Sequence, residues 1–513
     1  MERFLERHRD RIVGTIAGFD RVLFRGLLIS ICHLDGFDRF LSSQRILYKD
    51  FREFAEMFTK GIEARARELA SEAGQSIRYL NNASVKKDEL VRKIMSKEQI
   101  KEGLICVLSC VEPCHSFTIK GNKAEKRLSL IWEQRKCLHY YFYYVDREFG
   151  VMHIRLQSWF PFTIQVCVNG REWLARQMDK AGISYTKVDN CFTEIGDLEK
   201  AQELSDSFKK LRLEGTLSAF ARRVNPWLDK RGKIVLRPYY WTMRQAEYAT
   251  DVMFVDERGL NELYPKLLQH AIEQFGCDDV LRFLGRKTNA RFAGEVKSSL
   301  QRRVEGRRVK HWVEENSIKM YDKAGSVLRI ETTINNPKRF RVRRRMNKDG
   351  KIVIRYLPMR KGIADLSRRI EVSRVANSRY LEALSVIGVP TPSRKLFDSV
   401  SQRVEVNGRK YRPLRPVNPD DSALFRIVLR GENSVQGVRN KDIRAQLYPD
   451  AIVDDQKRHK ASARVSRSLR LLRAHNLIYK VARTNYYRVT KKGYEVMSTS
   501  TKFRESEIAL LAA

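Results

Sequence analysis

The sequence predicts an α+β protein: a central antiparallel sheet with flanking helices, then a small C-terminal unit of helices and one β-hairpin. Three observations carry this. Runs rich in aromatic and β-branched residues, such as 138–146 (LHYYFYYVD), 150–157 (GVMHIRLQ) and 162–168 (FTIQVCV), read as strands. Stretches with apolar residues at three- and four-residue steps surround them. Prolines gather in VPTPSRK and RPLRPVNPDD, and the chain beyond them has a helix, helix, helix, hairpin order of its own.

The first stretch, to about Gln75, reads as mostly helical, and its segment 51–74 closes at Gly74. SIRYL, a helix near Lys86–Met95 and GLICVLS follow as strand, helix, strand. Strands dominate from about Phe117 to Val168, with turns at Asp146–Gly150 and Trp159–Pro161. GREWLARQMDKAG reads as a helix closed by Gly182. Helices are expected over 197–213 and 261–303, strands over RRVKHWVEE and 315–335, and a helix over about 362–387. The resulting units are residues 1–115 (N-terminal, mainly helical or α/β), 116–389 (central α+β), 390–419 (connector), 420–498 (C-terminal unit) and 499–513 (tail).

The chain has 513 residues and a formal net charge of +38. That excess points to a polyanion, most simply nucleic acid. Ribosomal or heparin-type binding has the same charge logic. No apolar run is long enough for a membrane span, and the start MERFLERHRDR lacks the apolar core of a secretory signal. A cytoplasmic location with reduced thiols is therefore expected. Cys106, Cys110 and Cys114 do not follow a zinc or iron–sulfur spacing, so they read as small residues in a buried strand. Metal ligation with Cys137 and His139 is the alternative.

In the C-terminal unit SALFRIVLRGE, VRNKDIRAQLY (Asn440 as N-cap) and RHKASARVSRSLRLLRAHN read as helices, and LIYKVARTNYYRVTKKG reads as a two-stranded wing. This order is that of a winged helix-turn-helix and resembles the winged DNA-binding modules of bacterial MarR-type regulators. Arg464, Arg467, Arg470 and Arg473 stand on the third helix, and Arg483 and Arg488 on the wing. Arginine suits phosphate and guanine contacts. A solvated helix face is the plainer reading.

The segment ENSIKMYDKAGSVLRIETTIN, 315–335, reads as a hairpin with Lys323-Ala324-Gly325 as its loop. The odd loop puts Ser317, Lys319, Tyr321, Arg329 and Glu331 on one face, and Ile318, Met320, Leu328 and Ile330 on the other. The polar set suits phosphoryl transfer. A tyrosine can attack a phosphodiester, cations can hold the phosphate and favour the phenolate, and a carboxylate-held metal can polarise it. SIKMYDK followed by LRIET resembles rolling-circle replication initiators of the Rep_trans type. In that family a tyrosine nicks one DNA strand and the cleavage domain uses a divalent metal. The resemblance implies Tyr321 as nucleophile and Glu331 as a metal-site residue. It covers about 20 residues. The chain departs from the pattern in its short link between the strands. It has single histidines, His139 and His153, where a His-hydrophobic-His pair is sought.

Lys319, Lys323 and Arg329 complete the expected catalytic group. The metal candidates are Glu331, His139, Glu247 and Asp251, with Glu247 and Asp251 expected on one helix face, and the ion is Mg or Mn. Downstream, Arg341, Arg343, Arg344 and Arg345 lie in a basic stretch interleaved with Phe340 and Tyr356, which suits single strands through phosphate contact and stacking. Asp146, Glu148 and Glu112 read as solvated or isolated acids. The chain lacks a P-loop, a dinucleotide fingerprint and a nucleophile elbow.

Together these features favour a DNA-binding protein of a bacterial mobile or replicating element, a replication initiator or transposase-like endonuclease. It would nick or transfer one strand through Tyr321 with a divalent metal. The alternatives are a non-enzymatic nucleic-acid-binding regulator or scaffold, and a nuclease in which carboxylates hold the metal and Tyr321 stands by. The partner is DNA, single- or double-stranded, or RNA. No membrane is expected, and a homodimer is the assembly to test.

Overall fold

The computed structural model describes the chain except for residues 123–125, 229–233, 235, 287–293, 304–305, 349–350, 386, 388–392, 431–436, 453–454, 482–483 and 507–513. Its centre is one sheet. In chain order the strands are β1 (Ile12–Leu27), β2 (Ile77–Leu80), β3 (Gly103–Asn122), β4 (Arg127–Asp146), β5 (Gly150–Gln157), β6 (Ile164–Asn169), β7 (Tyr185–Val188), β8 (Cys191–Ile195), β9 (Tyr240–Phe254), β10 (Val296–Arg303), β11 (Gly306–Val313), β12 (Asn316–Lys323) and β13 (Val327–Ile334). Eleven of them join in the order β10-β11-β12-β13-β9-β1-β6-β5-β4-β3-β2, with β7 and β8 forming a separate hairpin. Every pairing in the large sheet is antiparallel except β2 with β3. The fold is thus α+β with a large mixed central sheet and flanking helices.

Several expectations are corrected here. The helical reading of the N-terminal stretch fails at β1, the strand at the centre of the sheet. Residues 16–20 are buried in succession, with helices Gly170–Lys180 and Leu198–Ser207 packed on β1. A strand covered on both faces loses the period-two signal. The segment holding Glu247 and Asp251 is likewise strand β9, not a helix. The helical span expected to 303 ends earlier, in helices Glu257–Glu273 and Cys277–Phe283, and β10 takes its last part. A unit boundary at residue 115 would cut through β3, and both sides of it belong to one sheet.

The hairpin β12–β13 keeps the expected parity. Its turn is Ala324-Gly325-Ser326, one residue later than read, so each pair shifts by two and no side chain changes face. Ala324 and Gly325 both have positive φ, 52° and 74°, a conformation that favours glycine at the second position. Ile318, Met320, Leu328 and Ile330 enter a core with the helices Glu257–Glu273, Cys277–Phe283 and Leu366–Leu384. A second core unites β1, β3–β6 and β9 with helices Leu34–Ser43, Phe51–Glu72 and Leu213–Val224.

Beyond the sheet, β14 (Arg341–Lys348) and β15 (Lys351–Pro358) form a two-stranded ribbon. The proposed connector folds as well: helix Ser393–Asp398 and strands β16 (Val404–Val406) and β17 (Arg409–Tyr411) lie within it. Val400 and Leu414 are fully buried in the same core as helices Pro419–Leu429, Asn440–Leu447 and Asp455–Ala474. The Asn440 cap is displaced by one residue: Arg439 is the capping position, and Asp442 accepts from its amide at 3.0 Å. Strands β18 (Ile478–Lys480) and β19 (Tyr487–Val489) pair, Val438 bridges to Tyr487, and the last helix, Lys491–Glu505, runs into the supposed tail. Among the described residues no helix is long and apolar enough to cross a membrane.

Candidate metal and phosphoryl-transfer site

The site is built on four neighbouring strands, β12, β13, β9 and β1. Their register sets Lys319 opposite Glu331, Tyr321 opposite Arg329, Arg329 opposite Asp251, and Arg21 opposite Glu247. β1 is irregular between Phe19 and Arg21, so Asp20 has no partner on β9. Such a bulge re-aims side chains, and here consecutive residues Asp20 and Arg21 line the same cleft.

Asp20, Glu247 and Glu331 thereby come together. One carboxylate oxygen from each lies within 4.8 Å of the others, and all three residues are buried. Each carboxylate also has protein partners. Asn190, in the β7–β8 turn, donates to both Asp20 oxygens at 2.8 Å. Arg21 approaches Glu247 at 3.4 Å, and Gln245 donates to it at 2.9 Å. Lys319 Nζ is 2.7 Å from Glu331 Oε1, and the Tyr321 hydroxyl donates to Oε2 at 2.6 Å.

Beneath the cluster lies a fully buried ion network. Arg329 grips Asp251 with two bonds of 2.6 and 2.8 Å, donates to the Asn190 carbonyl at 2.7 Å and comes within 3.5 Å of Asp20. Arg171, at the start of helix Gly170–Lys180, adds a 2.9 Å contact to Asp251. Burial opposes ionisation of Asp251, but Arg171 and Arg329 outweigh it and hold the carboxyl below its usual range. Burial likewise opposes the Arg329 charge, and Asp251, Tyr321 and Asp20 raise it well above its ordinary value. Asp20 is shifted the other way. Burial raises its carboxyl and Glu331 adds to this, more than Arg329 offsets.

The cluster opens into a cleft of about 190 Å³. Arg21, Arg307, Arg308, Lys319 and Lys323 line it beside Tyr321, Asp189 and Asn190. The cleft therefore offers acceptors for a cation at its floor and cations for a phosphate at its walls. Three carboxylate oxygens this close suit a small oxygen-seeking ion such as Mg or Mn.

The sequence candidates divide. Glu331 and Glu247 join the cluster, and Asp251 instead anchors the arginines below it. His139 lies on β4, three strands and so at least about 14 Å from β1 at ordinary strand spacing, and level with the far end of that strand rather than with Asp20. Its Nδ1 pairs with the Cys137 carbonyl at 3.0 Å, and burial lowers its pKa to about 4. Lys319 and Tyr321 face the cleft, and Lys323 ties the turn to Asp189 at 3.2 Å. Tyr321 departs from expectation: burial first, then Glu331, raises its phenol well above the ordinary value despite Arg329. Asp20 was missed. Its signal was a lone acid inside the apolar run GTIAGFDRVLFRG, which only a strand reading makes conspicuous.

Of the nucleic-acid candidates, Arg341, Arg343 and Arg345 are exposed on β14 at alternate positions, and Arg344 is tied to Asp365. Arg464 lies over Tyr448, Arg467 and Arg470 line a second cleft, and Arg473 and Arg488 are exposed. Arg483 lies outside the described residues. No protein-family model, curated protein or solved structure matches the chain.

Proposed function

We propose that the protein cuts or transfers a nucleic-acid strand by metal-dependent phosphoryl transfer at the Asp20–Glu247–Glu331 cluster. The observation that carries this is the Tyr321 hydroxyl, seated 2.6 Å from a carboxylate of that cluster in a cation-lined cleft. A divalent ion held by the three carboxylates would supply Lewis-acid polarisation of a phosphate oxygen. Lys319 and Arg21 would hold the phosphate at the mouth. Tyr321 would form the new bond to phosphorus while its proton passes to Glu331, and the bond to the leaving strand's oxygen would break, that oxygen taking its proton from water. The C-terminal unit, read as a winged helix-turn-helix, would hold duplex DNA through the Asp455–Ala474 helix and the β18–β19 wing. Its element order and exposed arginines support this reading.

The raised phenol favours a second reading, in which water is the nucleophile and Tyr321 only positions Glu331. Labelled single-stranded and supercoiled DNA, incubated with Mg or Mn and run on a denaturing gel, separates the two. A covalent adduct, lost in Tyr321→Phe, is expected of the first. Cleavage without an adduct that survives Tyr321→Phe but not Glu247→Gln establishes the second. Binding without cleavage under all conditions removes both and leaves a regulator or scaffold.

A further inference from the structure

The segment between the central sheet and the C-terminal helices carries a site of its own. β16 and β17 meet at Asn407-Gly408, whose φ values of 52° and 73° are those of a tight two-residue hairpin turn. The turn sets Arg409 and Lys410 at the start of the return strand. The hairpin lies beside helix Asp455–Ala474, and the two enclose a cleft of about 550 Å³.

Arg409, Lys410, Tyr411, Arg412, Arg467 and Arg470 form most of its wall, and among the described residues no acidic side chain lines it. Arg412 is committed to Asp421 through two bonds of 2.9 and 2.5 Å. Among the described residues Arg409, Lys410, Arg467 and Arg470 pair with no carboxylate, and all four are exposed. Four cations converging without a counter-charge repel one another, and a polyanion relieves that repulsion. Each three-residue step along a helix falls about 60° short of a full turn. The arginine series therefore winds around the helix, and Arg467 and Arg470 are the members turned toward the hairpin.

We propose that this cleft grips the phosphate backbone of duplex DNA beside the segment held by the wing. The proposal rests on the winged-unit reading and is independent of any chemistry at Tyr321. The test uses the full chain and a labelled duplex, with affinity followed by fluorescence anisotropy across a salt series. Each phosphate contact contributes a slope of about −0.9 in log K against log salt. The variant Arg409→Ala/Lys410→Ala/Arg467→Ala/Arg470→Ala should lose more than tenfold in affinity at low salt and flatten the slope by two or more. The charge-conserving Arg409→Lys/Arg467→Lys/Arg470→Lys should keep the slope. Lys410→Glu alone, at an exposed position where folding is undisturbed, should weaken binding severalfold.

Unchanged affinity and slope in the quadruple and Lys410→Glu variants overturn the proposal. So does a result in which these variants lose only inorganic pyrophosphate binding while duplex binding persists. Failure of the winged-unit reading looks different. Single-stranded DNA then binds as tightly as duplex, and removing Arg464 and Arg488 changes nothing.

Discussion

A buried carboxylate is stable only as its surroundings decide, and Asp20 and Asp251 show both outcomes one strand apart. Asp251 has two arginines and is held ionised. Its contribution to stability is present above the ordinary carboxylate range, about 3.9, and is lost as pH falls through its depressed folded value. Asp251→Asn leaves Arg171 and Arg329 buried without their shared partner, so a loss of about 3–5 kcal/mol in denaturant unfolding is expected. Asp20 has the opposite sign. Its folded value is raised, so the folded state binds the proton more tightly and stability declines as pH rises through that value. Asp20→Asn should therefore be neutral or stabilising at pH 7 without divalent ions. In the native chain, Mg or Mn at about 100 times Kd should add about 2.7 kcal/mol. A thermal-shift titration in which Asp20→Asn responds to the ion as strongly as the native chain would exclude Asp20 as a ligand.

At the scale of elements, the bulge in β1 and the three-residue turn of β12–β13 do most to shape the cleft. The turn's odd length was legible in the sequence, and so was the face shared by Lys319, Tyr321, Arg329 and Glu331. The bulge was not, because nothing local in GTIAGFDRVLFRG marks which residue is skipped; pairing with β9 decides it. The β7–β8 turn is a second such element, since Asn190 binds Asp20 through its side chain and Arg329 through its carbonyl. Asn190→Ala should free the Asp20 oxygens, alter metal affinity several-fold and lower global stability by about 1.5–3 kcal/mol, the size of a hydrogen bond to a charged group. Calorimetric metal titration beside a melt checks both. The ribbon β14–β15 sets Arg343 opposite Tyr356 and Arg345 opposite Ile354, and Tyr356 and Ile354 are exposed. Arg341→Ala/Arg343→Ala/Arg345→Ala should weaken single-strand binding more than tenfold with no change in melting temperature, read by anisotropy on an oligonucleotide.

For the whole molecule, the net charge of +38 must act through particular surfaces, and the structure distributes the named cations over the cleft, the ribbon and the C-terminal unit. Total duplex affinity should fall steeply with salt, and the quadruple C-terminal variant should remove only part of the slope. A slope unchanged by both it and the ribbon variant would place the polyanion surface elsewhere on the chain.

The sequence by itself determined what local periodicity and composition can carry: the α+β class, the large positive charge, the two faces of the hairpin and the helices of the C-terminal unit. Tertiary structure alone decided the site. Asp20 precedes Glu247 and Glu331 by more than 200 positions, and only the order β13-β9-β1 makes them neighbours. The same pairing separated Glu247 from Asp251, similar in sequence, by giving one to the cleft and the other to buried arginines. Strand order and register are settled by non-local hydrogen bonds and by burial on both faces of the sheet, and neither leaves a periodic trace in a single strand.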